Sequence, residues 1–130
     1  MKKVIYFGHP VNFYNTEIEA NLIECIKAKF PEFNIENPNQ KIHQQGYQKW
    51  KRIKGNGMIY YFKEVLPCMD AGVFLPFEDK MLGADVFKEA TFLDQLKKPI
   101  YEISLEEIII PLVLNPKRVL SVEQTKARVY

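Results

Sequence analysis

At 130 residues the chain fits one domain, 1–130, and can bury about two-thirds of its unfolded surface on folding, so it needs no disulfide or metal staple. Hydrophobic residues at 47% against 26% charged exclude a disordered or fibrous chain, and no apolar run approaches the length of a membrane span. A net charge of +2 gives no electrostatic case for a nucleic-acid polymer, which draws a markedly basic face.

Lys3, Val4, Ile5, Tyr6 and Phe7 make a short apolar run stopped by Gly8, His9 and Pro10, which predicts a first strand. Thr16 with Glu19 three residues on is a capping-box pair. Ile18, Leu22, Ile26 and Phe30 then recur at helical spacing, with Ile23 widening the stripe, and Pro31 ends the helix. Residues 33–36 alternate like a short strand before a loop at 37–40, so the first forty residues read β-α-β, the unit that forces a parallel pair with a right-handed crossover.

Residues 41–57 admit two readings. Lys49, Lys51, Arg52 and Lys54 interleaved with Tyr47 and Trp50 can hold phosphates or stacked bases; at helical spacing the same residues make a solvated cationic face with both rings turned inward. Residues 55–57 form a turn, and 58–66 are apolar enough for a buried helix that Pro67 ends.

The organising stretch follows. Residues 71–75 bear no charge and suit a strand buried on both faces, stopped by Pro76. Glu78, Asp79 and Lys80 follow in a loop, and Gly83 leads into a helix whose apolar positions are Val86, Phe87, Ala90, Leu93 and Leu96. Open α/β sheets hold ligands beyond the carboxyl ends of their strands, so this strand, loop and helix start mark a binding corner. Glu89 lies beside Ala90 on the buried side of that helix, where a carboxylate is costly unless it has work or partners. Ile100–Ile103 is a further strand, 108–114 a strand interrupted at Pro111, and Ser121 opens a last helix.

This order predicts an α/β fold, Rossmann-like or flavodoxin-like, with a mainly parallel sheet and helices on both faces. The chain lacks G-x-G-x-x-G after strand one, any G-x-x-x-x-G-K-[ST] and any G-x-S-x-G, which argues against dinucleotide enzymes, P-loop NTPases and α/β-hydrolases. Two histidines without ligand-spaced partners give no zinc pattern, and no cofactor is called for. Cys25 and Cys68 sit in apolar segments without CxxC spacing and are expected as buried free thiols. With no signal peptide or membrane segment in the pattern, a cytoplasmic location is the simplest expectation.

Ile5-Tyr6-Phe7-Gly8-His9-Pro10 at strand one, Asp70-Ala71-Gly72-Val73-Phe74-Leu75-Pro76 at strand three, and Glu89-Ala90 followed by Lys98-Pro99-Ile100-Tyr101 together resemble the nucleoside 2-deoxyribosyltransferase family and its deoxynucleoside-monophosphate N-glycosidase relatives. The resemblance implies cleavage or exchange of the base of a small-molecule nucleoside or nucleotide. Glu89 falls on the nucleophile, Tyr6 on the tyrosine that holds it, and Asp79 on the loop acid, with Asp85 the alternative. Gly8, His9, Pro10, Asp70, Pro76, Gly83 and Asp85 fall among the substrate-binding positions. The family's site is finished by an adjacent subunit, which implies a homo-oligomer, with Tyr130 reaching the ligand from segment 119–130. Independently, the apolar residues of 108–114 exceed what one edge strand needs, which also points to an interface.

The chain departs from the family where Gly83 stands six residues before Glu89, where Thr91 and Phe92 follow it, and where His9 replaces a small residue. Chemically, a carboxylate against one face of the sugar stabilises an oxocarbenium-like state and captures C1′. That requires Glu89 ionised, which a Tyr6 hydrogen bond would favour. The rival is a non-catalytic nucleotide-binding or protein-interaction module on the same fold.

Overall fold

The apolar runs become a five-stranded mixed sheet. A computed structural model describes residues 2–129, and its strands are β1 (Lys3–Gly8), β2 (Phe33–Glu36), β3 (Ala71–Phe74), β4 (Ile100–Ile103) and β5 (Ile109–Pro111). They lie in the order β2-β1-β3-β4-β5, parallel throughout except for β5, which runs antiparallel along β4. Four helices connect or flank them: α1 (Glu17–Lys29), α2 (Lys41–Lys54), α3 (Ala84–Gln95) and α4 (Val122–Val129).

Strand alternation divides the core in two. Ile5 and Phe7 of β1 point with Ala71 and Val73 of β3 toward α1, where Leu22 and Ile26 cover them. Tyr6 and Phe74 point the other way, toward Val86, Ala90 and Leu93 of α3 and toward Tyr61, Val65 and Leu66. Helical layers therefore cover both faces, and the chain is an α/β protein. Among the described residues no helix is long and apolar enough to cross a membrane.

Several local expectations are corrected. Residues 58–66 do not form a regular helix: a π-helical turn over Tyr61–Val65 passes into a 3₁₀ turn over Leu66–Cys68. Three successive aromatics must face three directions here, and the wider turn re-phases them. Tyr60 bonds to α2, Tyr61 faces the cavity described below, and Phe62 packs on Phe92 at 5.5 Å. Gly46, in the middle of α2, has no room for a Cβ because the Tyr60 ring lies against it. Cys25 is only partly buried and Cys68 is exposed, since Leu66 takes the inward position of that turn. Ile18 is exposed because Glu19 is the first-turn residue of α1 that turns inward. Leu96 is exposed at the end of α3, where it caps the helix instead of continuing its stripe. Ile108, Ile110 and Val113 also stand exposed along the β5 edge, whereas Leu112 is buried.

Candidate active site

The cavity lies beyond the carboxyl end of β1 and beside the start of α3, and has a volume of about 360 Å³. That falls in the usual range of small-molecule sites. Tyr6, His9 and Pro10 contribute one wall; Gly83, Asp85, Val86 and Glu89 a second; Gln44, Tyr47 and Gln48 of α2 a third. Val122, Thr125, Lys126 and Val129 of α4 also line it, so α4 walls its own chain's cavity.

Glu89 is 5% exposed, and the Tyr6 hydroxyl donates to its Oε2 at 2.6 Å. Its Oε1 lies against Gly8, where a Cβ would sit 3.1 Å from that oxygen and 2.6 Å from the Phe74 ring. Only glycine gives β1 this close approach. Burial pushes the Glu89 carboxyl up to about 8; the Tyr6 hydrogen bond works in the opposite direction and the Asp85 charge adds to the rise. The expectation that Tyr6 would keep Glu89 ionised is thus corrected: desolvation outweighs one hydrogen bond. Burial raises the Tyr6 hydroxyl well above its ordinary value, and the neighbouring Glu89 adds to this, so Tyr6 remains a donor.

The loop acid is corrected too. Asp79 does not line the cavity; it stands half-exposed on the 77–81 turn, held by both arms of the Arg128 guanidinium at 2.8 and 2.7 Å. Those hydrogen bonds hold its carboxyl down to about 2, so it carries no proton to give near neutrality. Asp85 lines the cavity one helical turn before Glu89, on the same face of α3. Burial raises its carboxyl while Lys88 and Lys126 pull it down. Of the two acids, Asp85 is the one placed where it can reach a bound molecule.

Of the remaining predicted residues, His9, Pro10 and Gly83 line the cavity with Tyr6 and Glu89. Asp70 does not: it immediately precedes β3, and its Oδ2 accepts the Val4 amide at 2.8 Å. In a parallel sheet that places it at the end opposite the cavity. Pro76 is buried between β3 and Phe77 without reaching the wall. Tyr130 lies outside the described residues.

The sequence pattern missed Gln44, Gln48, Tyr14, Tyr61, Thr125 and Lys126 on the walls. Tyr47, an inward ring of a helix in one of the two readings of residues 41–57, carried a local signal. The others are brought together by packing. Among the described residues no group of three His, Cys, Asp or Glu side chains is placed to hold a metal ion. No family model, curated protein or solved structure matches this chain, so the geometry of the site itself carries the functional reading.

Proposed function

We propose that the cavity binds a nucleoside or nucleotide and that Glu89 cleaves or exchanges its N-glycosidic bond. The observation that carries this reading is the buried Glu89 carboxyl on the cavity wall, gripped by the Tyr6 hydroxyl at 2.6 Å. It joins the resemblance to nucleoside 2-deoxyribosyltransferases carried by residues around Tyr6, Asp70 and Glu89. The strand order β2-β1-β3-β4-β5 supports a flavodoxin-like arrangement, with the ligand at the carboxyl ends of β1 and β3.

In the proposed reaction a Glu89 carboxylate oxygen bonds to C1′ as the C1′–N bond breaks, and the departing base takes a proton from Asp85. Water, or a second base, then bonds to C1′ as the C1′–Glu89 bond breaks, giving its proton to the Asp85 carboxylate and restoring both acids. With its carboxyl at about 8, roughly a tenth of Glu89 is ionised at pH 7, and that fraction reacts. Tyr6 fixes the rotamer, and the rings of Tyr61 and Phe77 offer apolar surface for a planar base. No cofactor enters these steps. Free thiols at Cys25 and Cys68 suit a cytosolic setting, and the exposed Ile108, Ile110 and Val113 suit a homo-oligomeric contact.

A second reading, binding without turnover, is favoured by the mostly protonated Glu89 and by the engagement of Asp79 outside the cavity. Incubation with each common deoxynucleoside and deoxynucleotide, followed by chromatography for free base, tests both. Free base that disappears in Glu89→Ala is the expected result. Saturable binding without release would leave the binding module standing, and neither binding nor release would overturn both readings.

A further inference from the structure

Away from the reacting carboxyl, the most completely bonded polar cluster surrounds His9. The ring is 5% exposed, stacks on Phe7 at 4.1 Å and meets Tyr14 at 4.9 Å. Nδ1 lies 3.0 Å from the Phe7 carbonyl oxygen, and Nε2 lies 2.7 Å from Glu19 Oε2. A carbonyl only accepts, so Nδ1 carries a hydrogen. The other partners of Glu19 only donate: the Asn15 amide at 3.2 Å and the Asn39 side-chain amide at 3.0 and 3.3 Å. Asn15 presents its N–H from a left-handed backbone, φ 63°, which asparagine tolerates. The 2.7 Å contact therefore holds one shared proton, and without it two lone pairs would face each other in a buried site. Burial raises the Glu19 carboxyl, and the bonds from His9, Asn39 and Asn15 more than reverse this, leaving it below its ordinary value.

What this brace holds is the strand end that grips Glu89. The Phe7 carbonyl, fixed by His9, lies between Tyr6, which donates to Glu89 Oε2, and Gly8, which abuts Oε1. We propose that His9 and Glu19 are positioning residues for the Glu89 carboxyl, clamping residues 6–8 through one shared proton so that the Tyr6 hydrogen bond and the Gly8 contact keep their geometry. The proposal rests on Glu89 as the site's reacting group, but it concerns the carboxyl itself and needs no turnover to be tested. Among the described residues the titratable groups acting on Glu89 are Tyr6 from β1, Tyr61 from the π-helical turn and Asp85 from its own helix; Lys88 and Lys126 act on Asp85.

The test is the titration of Glu89, followed by carbon-13 NMR of its labelled carboxyl in the full chain without ligand. His9→Phe keeps the stacked ring and removes both hydrogen bonds. It is expected to move the Glu89 midpoint upward by about one pH unit, a tenfold change in its ionisation constant, in the same direction as Tyr6→Phe. Combined with Tyr6→Phe it should add little, because both act on one hydrogen bond. Glu19→Gln is expected to leave the midpoint within about 0.3 unit, since its amide can donate to a neutral His9 Nε2 and restore the bond without the shared proton. A folded His9→Phe chain with an unmoved midpoint would overturn the proposal, as would full additivity with Tyr6→Phe. If His9→Phe does not fold, Glu19→Ala makes the same comparison, and failure of both to fold would reduce the pair to a structural role and overturn it as well.

Discussion

Glu89→Gln tests whether Glu89 is held protonated by burial. In the folded chain the carboxyl titrates near 8, against 4.5 for an ordinary glutamate, because desolvation outweighs the Tyr6 bond. The folded state therefore keeps a proton that the unfolded chain releases. Stability from this group is fully present below pH 4.5, falls as pH rises and is lost above 8. The separation is worth about 5 kcal/mol in total at 1.36 kcal/mol per pH unit, and about 3.5 kcal/mol of it falls between pH 5 and pH 8. Gln is the shape of the neutral acid and can still accept from Tyr6, so it should cost only about 1 kcal/mol at pH 5. Urea unfolding at pH 5, 6, 7 and 8 reads the difference between the two proteins, in which every other titrating group largely cancels. The variant is expected to be slightly less stable at pH 5 and more stable by about 2.5 kcal/mol at pH 8. Curves that stay parallel within about 1 kcal/mol, or that diverge with the opposite sign, would refute the assignment of a buried neutral carboxyl.

If the proposed chemistry holds, reaction needs Glu89 ionised while Asp85 keeps its proton, a form in which the pair holds one proton, so base release should fall about tenfold per pH unit above the Glu89 midpoint near 8, as a rate profile in saturating deoxynucleotide would read. Glu89→Ala should remove at least about a hundredfold of that rate and Tyr6→Phe on the order of tenfold, since one residue reacts and the other orients it. Asp79→Asn should leave the rate within about twofold because its carboxyl is engaged by Arg128 on the rim, whereas Asp85→Asn should lower it at least about tenfold; single-turnover kinetics on both variants compares them. Ile110→Lys should shift sedimentation at micromolar concentration toward the monomer if the β5 edge is the homo-oligomeric contact, and a wild-type chain that is already monomeric refutes that contact.

Elements whose cause is local were legible from residue order. The capping pair at Thr16 is present, with Thr16 Oγ1 accepting the Glu19 amide, and Ser121 and Gln124 cap each other at the start of α4. The apolar runs at β1, β3 and β4 pair in one parallel group; each is short and mostly apolar, and prolines, Pro10 and Pro76, follow β1 and β3 closely. Tyr6 and Glu89 were legible as a pair only through the resemblance; their separation of 83 positions is closed by β1 and α3 packing on the same face of the sheet. What stayed illegible depends on three-dimensional balance. Asp79 and Asp85 are equivalent as letters; in the fold Arg128 of α4 engages Asp79 on the rim while Asp85 lines the cavity. Glu19 reads as a capping residue, yet its carboxyl turns to His9 instead of back to Thr16.

The same logic explains why the site stands where β1 meets β3. α1 covers one face of the sheet and α3 the other, so the connections leaving these two strands part in opposite directions and open a cleft between them. A side chain entering that cleft from α3 loses water without meeting the sheet's own backbone, which is already paired. It must find its partners from side chains on β1 and from groups beyond the strand ends. Among the described residues Glu89 finds one donor, Tyr6, and a glycine that offers contact but no hydrogen bond. One donor is too few to hold a carboxylate at neutral pH, and a second from a bound molecule would change the balance. A ligand hydroxyl placed beside Oε1 would therefore favour ionisation on binding, drawing the midpoint down from about 8 and linking occupancy of the cavity to the charge that the proposed chemistry needs.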